Sequence, residues 1–202
     1  MPRRSQEDKA RTHEQIVDIA AARIREDGTT SPSVAEIMQA AGLTHGGFYK
    51  HFDSRDDLIA EAVDRTFTES QTATAAVIDD AQDPLAAFVE WYVSADHRDN
   101  PASGCGVVTL GAEAARAEPR VRAAYTEQVK RYLAQLEQLL DGEAGDAAAD
   151  ASSDAEARRR ARVVLSTLVG AVLVARAVDD PELSEEIIGD VRSAIITTRE
   201  AG

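Results

Sequence analysis

The chain has 202 residues, an aromatic fraction of only 4%, and 22 Lys and Arg against 36 Asp and Glu, for a net charge of −14. That length suits one well-buried domain or two modest ones, and a single cysteine, Cys105, excludes an intramolecular disulfide scaffold. The longest uncharged apolar run, the 13 residues from Val163 to Ala175, falls short of the roughly 20 that cross a bilayer; a polar start and abundant Ala without strand signals predict an all-α, soluble, cytoplasmic protein with no membrane partner.

Residues 2–11 carry Arg3, Arg4, Lys9 and Arg11 without apolar periodicity. They read either as a basic arm that follows a nucleic-acid backbone or as a frayed terminus. Thr12 with Gln15 predicts a capping box, and Ile16, Ile19, Ala20 and Ile24 continue as a helical stripe that Gly28 closes. Ser33 with Glu36 is a second capping box, opening a short helix whose apolar face is Val34, Ile37 and Met38. Gly42 supplies a left-handed stop and Leu43 plugs the turn. Thr44 reads as the N-cap of the next helix, with Phe48 and Phe52 on its buried side. Two short helices joined by a Gly-containing turn, over about residues 32–51, form a helix-turn-helix, whose second helix enters a DNA major groove.

The run Ala-Ala-Gly-Leu-Thr-His-Gly-Gly-Phe-Tyr-Lys-His-Phe-Asp-Ser-Arg-Asp-Asp-Leu, residues 40–58, resembles the recognition segment of the tetracycline-repressor (TetR) family. The likeness rests on a Gly before an apolar turn residue, a Thr cap, Gly46, an aromatic then Tyr49, His51-Phe52, and Ser54-Arg55 before an acidic-Leu helix start. Arg55 stands where that family usually has Lys, and Gly47 where a larger residue is common. The resemblance implies that Tyr49, Lys50 or His51, and Arg55 contact phosphates while Phe48 and Phe52 pack. The residues themselves add Thr44 as a cap that reaches a phosphate, His45 as the first side chain free to read a base edge, and Ser33 as a phosphate ligand at a helix N-terminus. Gly46 and Gly47 fit either a close backbone approach to DNA or a tight helix start, since each costs a helix about 1 kcal/mol relative to Ala.

Residues 1–55 hold eight basic and eight acidic residues, and residues 56–202 hold 14 and 28. The acidity therefore lies wholly in the second part. We expect a helix-turn-helix DNA-binding domain over 1–55 and a larger helical ligand-binding and dimerisation domain over 56–202. In the latter, Ser54 with Asp57 opens a helix through Phe67, and Asp83-Pro84 opens another carrying Leu85, Phe88, Val89, Trp91 and Tyr92 that ends near Asp96. A helical stretch runs from Gly104-Cys105-Gly106 to about Ala117, and an amphipathic one from Glu118-Pro119 through Leu140. Residues 142–154 are small and acidic, a flexible loop. Ser153 with Glu156 caps a helix whose first half, with Arg158, Arg159, Arg160 and Arg162, is a solvated face or a second nucleic-acid patch. Its second half, apolar on every side, is expected to be buried all round. Asp180-Pro181 opens a last helix with Ile187, Ile188, Val191 and Ile195 on one face. Such a pair suggests that two copies pack together or that the helix is a monomer's core; in the resembled family the last two long helices form a four-helix bundle with their twins.

No Gly-rich phosphate loop, paired-His spacing or nucleophile motif is present, so no catalytic residue, metal or cofactor is expected. His97 reads as a surface residue. Phe88, Trp91, Tyr92, Cys105 and Tyr125 are candidates to line a ligand cavity, though each taken alone reads first as core. The expected function is a homodimeric transcriptional regulator, a repressor bound to palindromic double-stranded DNA and released by a small-molecule inducer. The alternative is a regulator that senses oxidants or electrophiles through Cys105; a helical enzyme or carrier is the third reading.

Overall fold

The computed structural model describes the backbone of residues 2–30, 32–141 and 151–197, and the side chains of residues 6–30, 32–140 and 154–197. Among these it is all helical: α1 (Pro2–Asp27), α2 (Val34–Ala40), a 3-10 segment (His45–Lys50), α3 (Arg55–Ile78), α4 (Pro84–Tyr92), α5 (Ala95–Asp99), α6 (Gly106–Ala114), α7 (Pro119–Asp141), α8 (Ala151–Ala177) and α9 (Pro181–Thr197), with a 3-10 turn at Pro101–Ser103. No described helix is long and apolar enough to cross a membrane.

The start of α1 differs from the expectation. The helix does not begin at Thr12, because nothing between Arg3 and Asp27 interrupts it; Thr12 instead donates its hydroxyl back to the Asp8 carbonyl at 2.9 Å, a bond a mid-helix Thr makes. The α2 termini are as the residues predict. Glu36 N donates to Ser33 Oγ and Ser33 N to the Glu36 carboxylate, closing the capping box. Gly42, at φ +72°, lets its own N–H reach the Gln39 carbonyl and the Leu43 N–H reach Met38, the paired bonds of a Schellman stop. Ser54 Oγ accepts from Asp57 N at the head of α3, and Asp83 from Ala86 N at the head of α4. The α4 helix stops at Tyr92, short of Asp96, because Ser94 caps a separate turn by accepting from His97 N. The α8 helix is already formed at Ala151, ahead of the expected Ser153; the loop expected over 142–154 otherwise falls outside the described residues at 142–150.

The chain divides into two compact units, residues 1–70 with 101–125, and residues 71–100 with 126–202. This division does not follow a cut at residue 55. Two features fold residues 101–125 in with the N-terminal helices. Arg25, buried, donates to the Ala102 carbonyl and pairs with Glu69 at 2.7 Å. Glu113 on α6 accepts from the Thr29 N–H at 2.7 Å and the Thr29 hydroxyl at 2.6 Å. Gly28, at φ +83°, has no Cβ to strike that carboxylate. Cys105 is the N-cap residue of α6 and is fully buried; Gly106 beside it lets α6 approach Thr66 and Phe67 of α3. The alternative reading of Cys105 as an accessible sensor is therefore corrected: Gly106 serves packing, and the thiol is core.

In the second unit Phe88, Tyr92 and Tyr132 are buried against one another, ring centroids 5.7–6.2 Å apart. His97 is not a surface residue. It is buried, stacked on Trp91 at 5.3 Å, with Nδ1 2.6 Å from the Tyr92 carbonyl. Burial pushes its pKa down to about 4. The two long helices α8 and α9 pack on each other, with Leu165, Leu168, Val172 and Ile188 buried between elements of this unit. The second half of α8 is not buried all round: Val163, Leu173 and Val174 are 55%, 51% and 46% exposed, and Leu183 at the start of α9 is 42% exposed.

Candidate nucleic-acid interface

The 3-10 segment after α2 stands where a second α-helix was expected. Thr44 has the extended backbone of an N-cap, φ −86° and ψ 150°, but its hydroxyl makes no capping bond. Without that bond, and with two glycines in the first turn, the tighter helix results. Its inner side is fixed by Phe48 and Phe52, both buried and stacked at 5.4 Å, with Phe52 also stacked on His13 at 4.5 Å. Three side chains therefore face solvent from this segment, His45, Tyr49 and Lys50, with Tyr49 71% exposed. The Tyr49 ring stands edge-on to Phe48 at 5.3 Å, which orients it.

The expected site residues separate into two groups. Thr44, His45, Gly46, Tyr49 and Lys50 are exposed together, with Gly47 half-buried beneath them. Neither glycine has a positive φ; a Cβ at 46 would meet nothing, and one at 47 only Met38 at 3.6 Å. The protein's own packing gives no reason for either. Ser33 and Arg55 are engaged in hydrogen bonds within the protein, and His51 stands apart from the exposed set. The Ser33 hydroxyl accepts from Glu36 N and donates to its carboxylate at 2.7 Å, which places a negative charge where a phosphate was expected. These bonds hold the Glu36 pKa below its usual value. Arg55 donates to the Thr29 carbonyl at 2.6 Å and the Pro32 carbonyl at 3.3 Å, tying the α1–α2 connection to the head of α3. His51 is half-buried with Nδ1 unpartnered, and burial, then the charges of His13, Lys9 and Lys50, lower its pKa.

A groove lined by Asp8, Lys9, Thr12, Leu43, Thr44, Gly47, Lys50 and His51 runs beside the exposed segment. It brings Lys9 of α1 next to Lys50, so two cations and the unused Thr44 hydroxyl line one concave surface suited to phosphate oxygens. The sequence placed Lys9 in a terminal arm and could not show that α1 carries it here. Arg3 and Arg4 lie outside the described side chains. Of the basic run on α8, Arg158, Arg159, Arg160 and Arg162 are exposed and Arg159 pairs with Glu156 at 2.7 Å.

The five candidate cavity residues divide between the two units. Phe88, Trp91 and Tyr92 belong to the second unit, Cys105 and Tyr125 to the first. Tyr125 donates to the Val107 carbonyl at 3.1 Å and meets Phe67 edge-on, a role in packing.

Comparison with known proteins gives matches at both ends of the chain. Residues 16–62 match the model described as bacterial regulatory proteins, tetR family, and residues 83–190 the tetracyclin repressor-like C-terminal domain. An uncharacterized HTH-type transcriptional regulator of Mycobacterium tuberculosis is 30% identical over 171 residues, 81% of this chain and 83% of that one. The HTH-type transcriptional regulator AcrR of Shigella flexneri is 36% identical over 61 residues, 30% of this chain and 28% of its own. The crystal structure of a TetR transcriptional regulator from Chloroflexus aurantiacus shares the fold, with a TM-score of 0.78 at 22% identity over 94% of this chain and 96% of that one.

Proposed function

The chain belongs to the TetR family and is a DNA-binding transcriptional regulator, and from that premise we propose that it is a cytoplasmic homodimeric repressor of a palindromic operator, released by a small molecule bound in its C-terminal part. The observation that carries this reading is the rigid, exposed set His45, Tyr49 and Lys50 on a segment pinned by Phe48 and Phe52. In this reading Lys50, Lys9 and Thr44 position the backbone, His45 reads a base edge, and Gly46 and Gly47 keep the main chain close to the DNA. Arg55 and Ser33 shape the element that presents them.

Support for a dimer comes from α8. Val163, Ser166, Thr167, Gly170, Leu173 and Val174 recur at helical spacing, and Val163, Leu173 and Val174 are exposed on a single chain. A Cβ at Gly170 would meet nothing, so a second helix could pack closely there. An exposed apolar stripe of this length on a helix asks for a partner surface, and a second copy of the stripe supplies one with two-fold symmetry.

Lys50→Ala should weaken binding to all duplexes alike and reduce the slope of log affinity against log salt by about 1. His45→Ala should relax base preference at one position per half-site. Fluorescence anisotropy titrations on selected and scrambled duplexes distinguish the two; identical profiles for both variants would contradict the division of labour.

A further inference from the structure

Gln128 on α7 is 1% exposed, and neither its Nε2 nor its Oε1 has a hydrogen-bond partner. Leaving one buried polar group unsatisfied destabilises a fold by about 1–3 kcal/mol, and native proteins hold few such groups. This one lines a cavity of about 220 Å³ in the second unit, together with Gln71, Thr74, Ala75, Arg131, Tyr132 and Gln135. A water occupies about 30 Å³ of liquid, so the space takes a small ring as readily as a few waters.

Among the polar neighbours of Gln128, Thr74 and Arg131 are engaged with Gln71, and Gln135 is half-exposed. Thr74 donates its hydroxyl to the Gln71 carbonyl at 3.0 Å, and Arg131 donates to Gln71 Oε1 at 3.2 Å with its guanidinium on the exposed side. No carboxylate lines the cavity. What it offers is a carboxamide with one donor group and one acceptor side by side, next to the ring of Tyr132. The complement of a carboxamide is an edge that carries an acceptor and a donor in the same order, so that two parallel hydrogen bonds form. A carboxylate would satisfy Nε2 and repel Oε1. An apolar molecule would leave both atoms as they are.

We propose that this cavity binds a small uncharged molecule with an amide or lactam edge, held by Gln128, and that this is the small molecule of the proposed release from DNA. The inference rests on that reading for its consequence and on the cavity alone for its chemistry.

The test uses the full chain, with δ-valerolactam and uracil as probes, N-methylvalerolactam as the analogue without a donor, and benzoate as the anion. Isothermal titration should show lactam and uracil binding, with the N-methyl analogue and benzoate at least tenfold weaker. Gln128→Leu should bind the lactam at least tenfold more weakly while melting at the same temperature or higher, because it removes an unsatisfied group. Should Gln128→Leu fail to fold, Gln128→Met keeps the length without a matching donor and acceptor and should lose the lactam likewise. Equal binding of lactam and N-methyl analogue, undiminished lactam binding by either variant, or no binding of either amide probe overturns the proposal. Release of a bound duplex is followed separately. Probes that bind through Gln128 and leave the duplex held contradict the inducer reading and keep the site; a compound that releases DNA equally from wild type and Gln128→Leu does the reverse.

Discussion

Gly46 has a negative φ and open space at its Cβ position, so the isolated protein should accept Gly46→Ala and gain up to about 1 kcal/mol of helix propensity. If the main chain lies against DNA, the same methyl should weaken operator binding. Thermal melting and anisotropy on one preparation check both halves, and unchanged affinity would leave the glycine as a local helix start. The resemblance implies a phosphate contact for Arg55, and its guanidinium also donates to the Thr29 and Pro32 carbonyls. Arg55→Ala should therefore lower stability by about 1–3 kcal/mol through unpaired acceptors, whereas Lys50→Ala should not; urea midpoints separate them. His97 gives a pH dependence with a definite sign. Its pKa is about 4 folded and 6.5 as an ordinary imidazole, so below 6.5 the unfolded chain takes up the proton first. Stability should fall as the pH drops from about 6.5 to about 4, by at most about 3 kcal/mol at 1.36 kcal/mol per unit. His97→Gln should flatten that part of the urea midpoint curve, and a curve of the same shape would show that His97 is not its source.

At the scale of elements, the segment 101–125 matters most, because it lies inside the C-terminal family match and yet folds with the N-terminal helices. Its attachments are Arg25 to Ala102 and Glu113 to Thr29 under Gly28. Gly28→Ala combines a left-handed φ with a clash at Glu113, so it should destabilise the first unit by more than about 1 kcal/mol. Hydrogen exchange should show the loss at Thr29 and in α2; protection unchanged there would mean that the contact is not structural. None of this was legible in the sequence, since a lone Glu 84 positions from its partner leaves no periodic trace. The capping box, the Gly42 stop and the Phe48–Phe52 face were legible, because each is a local bond or a helical repeat set within a few residues. Thr44 was legible in backbone and not in side chain: the sequence names a cap residue, but the two glycines after it favour the tighter 3-10 turn. Cys105 failed as a sensor for a related reason. A glycine beside a cysteine looks like openness in a string of letters, and here Gly106 is the room that Thr66 and Phe67 occupy.

For the whole molecule, the helical family fold follows from Ala-rich amphipathic segments, whereas assembly depends on a face that only the structure separates from the core. Leu168, within the apolar run of α8, and Ile188, on the apolar face of α9, are both buried within one chain; Glu at either would break the fold before it tested a dimer. Leu173 and Val174 are the informative sites. Leu173→Glu should give a folded monomer with an unchanged circular dichroism spectrum and operator affinity reduced by at least a hundredfold. The most direct measurement of the central claim is selection of bound duplexes from a random pool by the full chain, with Leu173→Glu run in parallel. The wild-type chain should enrich an inverted repeat, its half-sites about 34–36 Å or a longer helical repeat apart, and Leu173→Glu should enrich none. A single unrepeated half-site from the wild type, or the same repeat recovered equally by the variant, would contradict that claim.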